Sequence, residues 1–206
     1  MITNRPVAGL AVGLLAIGGI AIWSPSVAIA AAVPAKAYFA GGCFWCMEEV
    51  FEKVDGVIAV VSGYMGGTVV DPTYEQVSSG QTGHAESVEV TYDPDKVSYQ
   101  KLLESFWRNV DPVTPNAQFC DHGSQYRSAV FYRTDEEKRL SEESKSAIVR
   151  SNRFSAPVVT QVVEASTFYQ AEEYHQDFYK KNPIRYKTYK FRCGRAKRLE
   201  ALWGKS

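Results

Sequence analysis

Residues 37–61 read AYFAGGCFWCMEEVFEKVDGVIAVV. Residues 37–40 are short and apolar, and Gly41-Gly42 behind them predicts a strand running into a tight turn. From Cys43 to Lys53 the apolar residues Phe44, Met47, Phe51 and Val54 recur at steps of three and four, forming one stripe of a helix. Asp55-Gly56 ends that helix, and the β-branched run at 57–61 predicts a buried strand. The stretch is a β-α-β unit with a cysteine at the start of its helix.

Downstream the pattern repeats in kind. Residues 86–92 alternate, with Val88, Val90 and Tyr92 on one face and Ser87, Glu89 and Thr91 on the other. Ser98 is placed to cap a helix to about Asn109, with Leu102, Leu103, Phe106 and Trp107 facing inward. Residues 127–132 read as a strand. Thr134 with Glu137 forms a capping box for a charged helix to about Arg150, and residues 158–163 supply another strand. Two split β-α-β units followed by α-β predict an α+β fold, a ferredoxin-like two-layer sandwich with helices on one face of a mostly antiparallel sheet. Residues 62–84, carrying Gly63, Gly66, Gly67, Gly80 and Gly83, and residues 111–126 read as long connections of the kind that carry function. From Ala165 on, Tyr169, Tyr174, Tyr179, Tyr186 and Tyr189 make the tail too aromatic for disorder, and it reads as a wrap over the domain surface.

Residues 1–30 stand apart. Arg5 and the amino group form a short positive region, residues 7–23 are uncharged, Ser24-Pro25-Ser26 breaks any helix, and Ala28-Ile29-Ala30 offers small residues for cleavage. This is the layout of a secretory signal, with an uncleaved membrane anchor as the alternative, and it predicts a periplasmic or otherwise extracytoplasmic protein. Residues 31–206 are then one domain. The whole chain has 206 residues, with lysine plus arginine and aspartate plus glutamate both at 23. That balance argues against a nucleic-acid partner, which needs a basic excess to replace counterions.

The chemistry centres on four cysteines. Cys43, at a helix start, lies where unpaired N–H groups and the helix dipole favour a thiolate. Cys46 follows at i+3 on the same face, close enough to bridge. A redox pair is one reading of this C-x-x-C, and a structural disulfide or half a zinc site are the others. Zinc needs two more ligands, and Cys120, His122 and Cys193 are scattered without a second knuckle. Glu86 falls on the core side of its strand. A buried carboxyl stays protonated and can donate a proton; the other reading is a solvated residue at a frayed strand start. Phe44 lies on the apolar stripe, whereas Trp45 lies off it and suits a pocket wall.

These pieces resemble the peptide-methionine (S)-S-oxide reductases, the MsrA family. The resemblance starts at Gly41-Gly42-Cys43-Phe44-Trp45 and runs through Pro72-Thr73-Tyr74, Gly83-His84-Ala85-Glu86, Tyr92-Asp93-Pro94, Asp111-Pro112, Asp121-His122-Gly123-Ser124-Gln125-Tyr126-Arg127-Ser128 and Ala171-Glu172-Glu173-Tyr174-His175-Gln176. It covers about residues 36–203. The resemblance implies that Cys43 attacks the sulfoxide sulfur and that Glu86 protonates the departing oxygen. It implies that Tyr74 and Tyr126 hold that oxygen, that Phe44 and Trp45 form a slot for the terminal methyl, and that Asp121 positions the substrate. The loops 62–84 and 111–126 become the pocket walls, and His175 a structural hydrogen-bonding residue.

The implied activity is reduction of the S epimer of methionine sulfoxide, in oxidised proteins and as the free amino acid. Cys43 passes through a sulfenic acid and a disulfide, with no bound cofactor, no metal and an external dithiol such as thioredoxin as reductant. A monomer is expected. Cys46 departs from the common family pattern, which has glycine there and a recycling cysteine in the tail. Cys46 and Cys193 are both candidates to resolve the sulfenic acid, Cys46 first, with no part for Cys46 in the attack itself. Cys120 is taken as a spectator. The alternatives are a thioredoxin-like thiol-disulfide oxidoreductase, which leaves Glu86, Tyr74 and Tyr126 without a task, and an exported binding module with structural cysteines.

Overall fold

The computed structural model describes residues 1–3 and 33–205, so the predicted signal at 1–30 lies almost wholly outside the described residues. Along the chain run β1 (Ala35–Gly41), α1 (Phe44–Glu52), β2 (Val57–Met65), α2 (Tyr74–Ser78), β3 (Ala85–Tyr92), α3 (Tyr99–Trp107), β4 (Ala117–Gln118), β5 (Asp121–His122), β6 (Ser128–Tyr132), α4 (Asp135–Arg150), β7 (Gln161–Glu164), β8 (Tyr169–Gln170), α5 (Phe178–Lys181), α6 (Pro183–Arg192) and α7 (Arg195–Trp203). Six strands form one mixed sheet in the order β7-β6-β1-β3-β2-β8. All its neighbours are antiparallel except β6 and β7. The fold is α+β, as expected.

The helical stripe of α1 explains how it docks. Phe44, Met47 and Phe51 are all within 1% of full burial, and Phe51 stacks on Phe39 of β1 with ring centroids 4.7 Å apart. Truncating such a phenylalanine to alanine typically costs about 3–5 kcal/mol. Helix α3 lays Leu102, Leu103 and Phe106 on the same core, after Ser98 Oγ accepts the Lys101 N–H at its start. The opposite face of the sheet buries Tyr38, Ala40, Met65, Ala85, Ala129 and Phe131 beneath Ala165 and Phe168.

Several expectations need correction. The run at 57–61 is a strand buried only in part: Ile58 and Ala59 face solvent where the register shifts between Val57 and Ala59, Val60 enters the core, and the continuously buried part of β2 is Ser62–Met65. Strand β2 thus extends into the predicted 62–84 connection, and α2 lies inside it, opened by a full capping box of Thr73 and Gln76. At α4 only half the predicted box forms: Thr134 Oγ accepts the Glu137 N–H, while the Glu137 carboxylate takes the N–H of Arg133. The 111–126 segment holds the β4–β5 hairpin. The tail is more than a wrap, since β8 extends the sheet and Leu202 and Trp203 enter the core.

Candidate active site

Cys43 is the N-cap residue of α1 rather than part of its first turn. Two constraints place it there. Gly42 has φ of +79°, and a Cβ at that position would stand 2.4 Å from the Gln118 side chain, so only glycine lets the chain turn this close to β4. The Cys43 carbonyl then accepts the N–H groups of Cys46 and Met47. One N–H of the helix start is already used: Phe44 N–H donates to Glu86 Oε2 at 3.0 Å. The dipole end of α1 therefore faces both Cys43 and the carboxyl of Glu86.

Glu86 is buried on the core face of β3, which removes the solvated-end reading. Burial pushes its pKa up to about 8, against the Phe44 N–H, with the charges of Asp121 and Cys46 adding to the rise. It is a neutral acid at pH 7. The Cys43 and Cys46 side chains lie in one buried cluster, and each shifts the other's titration. Burial and Cys46 hold the Cys43 thiol well above its ordinary value. The hydrogen bond from Cys43, then Arg195, Tyr186 and Lys190, bring Cys46 down to about 6. The sequence placed the thiolate on Cys43; in the folded chain the surroundings raise that thiol and lower its neighbour at Cys46.

Cys43, Phe44, Trp45, Tyr74, Glu86, Asp121, Tyr126 and Tyr189 line one cavity of about 110 Å³. Tyr74 is fixed at the start of α2 by its N–H bond to Glu172, whose other oxygen takes the Tyr64 hydroxyl. Burial, followed by the proximity of Glu86, raises Tyr74 to about 12 and Tyr126 further still, so both keep their hydroxyl protons. Trp45 lies flat on Phe178 with centroids 3.7 Å apart, and its indole N–H donates to His175 Nδ1 at 3.0 Å. His175 is thus a structural partner, as expected, and burial lowers its pKa. Asp121 accepts the Tyr189 hydroxyl, which ties the 111–126 loop to α6.

The site residues predicted from sequence converge with one exception. Cys193 is joined to Cys120 in a disulfide, with Cα atoms 4.9 Å apart, so Cys120 is not a spectator and Cys193 is not a waiting thiol. Tyr186, Tyr189 and Arg195 were missed as site residues. Tyr186, Tyr189, Lys190 and Cys193 recur at three- and four-residue steps, a helical face that the tyrosine-rich tail displayed without indicating what it would meet. A larger cleft of about 760 Å³ between α3 and α7, lined by Arg108, Arg195 and Glu200, contains no cysteine.

The chain matches the family model described as "Peptide methionine sulfoxide reductase" over residues 35–206. It is 50% identical over 170 residues to the peptide methionine sulfoxide reductase MsrA of Halalkalibacterium halodurans, covering 82% of this chain and 97% of that protein. To the MsrA of Listeria innocua it is 51% identical over 168 residues, covering 82% and 95%. Among solved structures it is similar to Mxr1 from Saccharomyces cerevisiae in reduced form, with 31% identity and a TM-score of 0.68 over 73% of this chain and 86% of that one.

Proposed function

The chain belongs to the peptide methionine sulfoxide reductase family, and from that premise we propose that it reduces the S epimer of methionine sulfoxide, with Cys43 as nucleophile and Glu86 as acid. The observation that carries the assignment is a protonated Glu86 and the Cys43 thiol opening into the same 110 Å³ cavity. A sulfoxide sulfur is a poor electrophile until its oxygen is hydrogen-bonded or protonated, so an acid and two hydroxyls belong opposite the thiol. The methyl lies against Phe44 and Trp45, and the oxygen faces Tyr74, Tyr126 and Glu86. Asp121 holds the rim through Tyr189.

As the Cys43 sulfur attacks, its proton passes to the Cys46 thiolate. The oxygen takes the Glu86 proton, methionine leaves, and Cys43 is left as sulfenic acid. Cys46 then attacks the Cys43 sulfur, forming the disulfide and releasing water. An external dithiol, of thioredoxin type, reduces the disulfide by exchange and is itself oxidised. Cys193 acts only later, once its bond to Cys120 has opened. The strand order β6-β1-β3-β2, with α1 and α3 as crossovers, supports a ferredoxin-like core to which β7 and β8 add edges. Export through residues 1–30 belongs to the same proposal and rests on the signal-like sequence.

The test is turnover of each sulfoxide epimer with a chemical dithiol as electron source. The S epimer should be consumed and the R epimer left. Disulfide reductase activity without sulfoxide turnover would instead make the chain a general thiol exchanger.

A further inference from the structure

Outside the cavity, one buried group has no counterpart in the reaction. Glu48 is 1% exposed on α1, two residues beyond Cys46. Its Oε1 accepts the Asp177 N–H at 3.0 Å, while its Oε2 is buried with no hydrogen-bond partner among the described residues. A buried carboxylate oxygen left unpaired is costly. Beside it stand Glu52, one turn along the same helix, and Asp177, and one oxygen from each of the three carboxylates lies within 4.8 Å of the others. Among the described residues one cation pairs with this group: Lys180 Nζ lies 2.6 Å from Glu52 and 2.7 Å from Asp177. The Tyr179 hydroxyl also donates to Glu52. Lys180 pairs with Glu52 and Asp177 but does not reach Glu48, whose Oε2 is left with neither a cation nor a hydrogen-bond partner among the described residues.

We propose that Glu48, Glu52 and Asp177 form a binding site for calcium. The donors are all oxygens, which selects a hard cation. Calcium accepts irregular sets of several carboxylates, whereas magnesium demands near-octahedral geometry and is usually held by one or two carboxylates with water. Lys180 is half exposed at the rim and swings to solvent as the ion enters, whereas Glu48 is fixed at the base. Such an ion would fasten α1, which begins at Cys43, to the segment entering α5. Phe178, next to Asp177, is the ring that backs Trp45, so the clasp steadies the wall of the sulfoxide slot.

The experiment uses the full chain and terbium as the luminescent stand-in for calcium, excited through the adjacent Tyr179. Saturable tyrosine-sensitised emission is expected, displaced by calcium and at least tenfold less effectively by magnesium. It should weaken at least tenfold in Glu48→Gln and in Glu52→Gln and strengthen in Lys180→Met. Millimolar calcium should also raise the melting temperature of the unmodified protein and not that of Glu52→Gln. Because Glu52 is partly exposed, that variant keeps the test valid if Glu48→Gln fails to fold. Absence of saturable emission, emission unchanged in both glutamine variants, or equal displacement by magnesium would each overturn the assignment.

Discussion

Two cysteine pairs lie in one small domain under opposite conditions. Cys43 and Cys46 are reduced and buried, surrounded by a neutral acid, phenolic hydroxyls and the cation of Arg195. Cys120 and Cys193 are bonded to each other at the surface, one fully and the other partly exposed. The residue type is the same, so the surroundings assign the work. Beside the buried pair, Cys43 opens into a cavity that it shares with Glu86, Tyr74 and Tyr126. The surface pair has Asp121 beside it but no counterpart of the buried Glu86, and it joins the loop carrying Asp121 to the turn between α6 and α7. Cysteine spacing alone, C-x-x-C against two scattered residues, pointed to the first pair and concealed the second.

The severest way to break this division is to remove the buried nucleophile. Cys43→Ser should abolish sulfoxide reduction, by at least about a thousandfold, or roughly 4 kcal/mol of transition-state stabilisation, with the circular dichroism spectrum unchanged. Turnover within tenfold of the parent would mean that another thiol does the chemistry. Next in size is Glu86→Gln, which keeps a hydrogen-bond donor but has no proton to give. Its single-turnover rate should fall about a hundredfold.

The same two sites set a pH profile. The thiol pair loses its shared charge as pH falls through about 6, and Glu86 loses its proton as pH rises through about 8. The profile of kcat/KM should therefore be a bell between these limbs, whose apparent values belong to the interacting set. In Glu86→Gln the alkaline limb should vanish. If it persists, the proton comes from elsewhere.

What could be read in the sequence divides along similar lines. Helix α1 and strand β3 were legible because local periodicity sets their buried faces, and Glu86 came with the register of β3. The run at 57–61 misled because its β-branched composition reports strand but not the bulge that turns Ile58 outward. Helix α2, at five residues, is too short to show a period. Arg195 and Tyr189 could not be found, because they reach Cys46 and Cys43 from more than 140 positions away, through packing that no local pattern encodes. The Cys120–Cys193 bond, spanning 73 positions, is likewise a product of the tertiary fold.

A smaller effect sharpens the inner pair. The sequence left Cys46 out of the attack, whereas the mechanism proposed above uses it as acceptor of the Cys43 proton. Cys46→Ser should slow the first turnover about tenfold, near 1.4 kcal/mol. Alkylation of Cys43, which does not need Glu86, should show the same deficit at pH 7. An unchanged rate at pH 7 would return Cys46 to recycling alone.

The smallest change in chemistry is expected from the outer pair, together with a clear change in stability. In Cys120→Ala/Cys193→Ala the first turnover should stay within twofold, because Cys43, Cys46 and Glu86 are held by α1 and β3 and owe nothing to that bond. The bond closes a loop of 73 positions, so its loss frees the unfolded chain and should cost about 2–4 kcal/mol in denaturant unfolding. Rapid quench of the fully reduced parent with one equivalent of sulfoxide, followed by peptide mapping, should find Cys43–Cys46 as the earliest disulfide. A thiol one helical turn away meets the sulfenic acid at a far higher effective concentration than one that must first be carried in by the chain. If Cys43–Cys193 forms first, the surface cysteine is a working partner that leaves its place beside Cys120 within each cycle. The contrast between the two pairs would then describe the resting state alone.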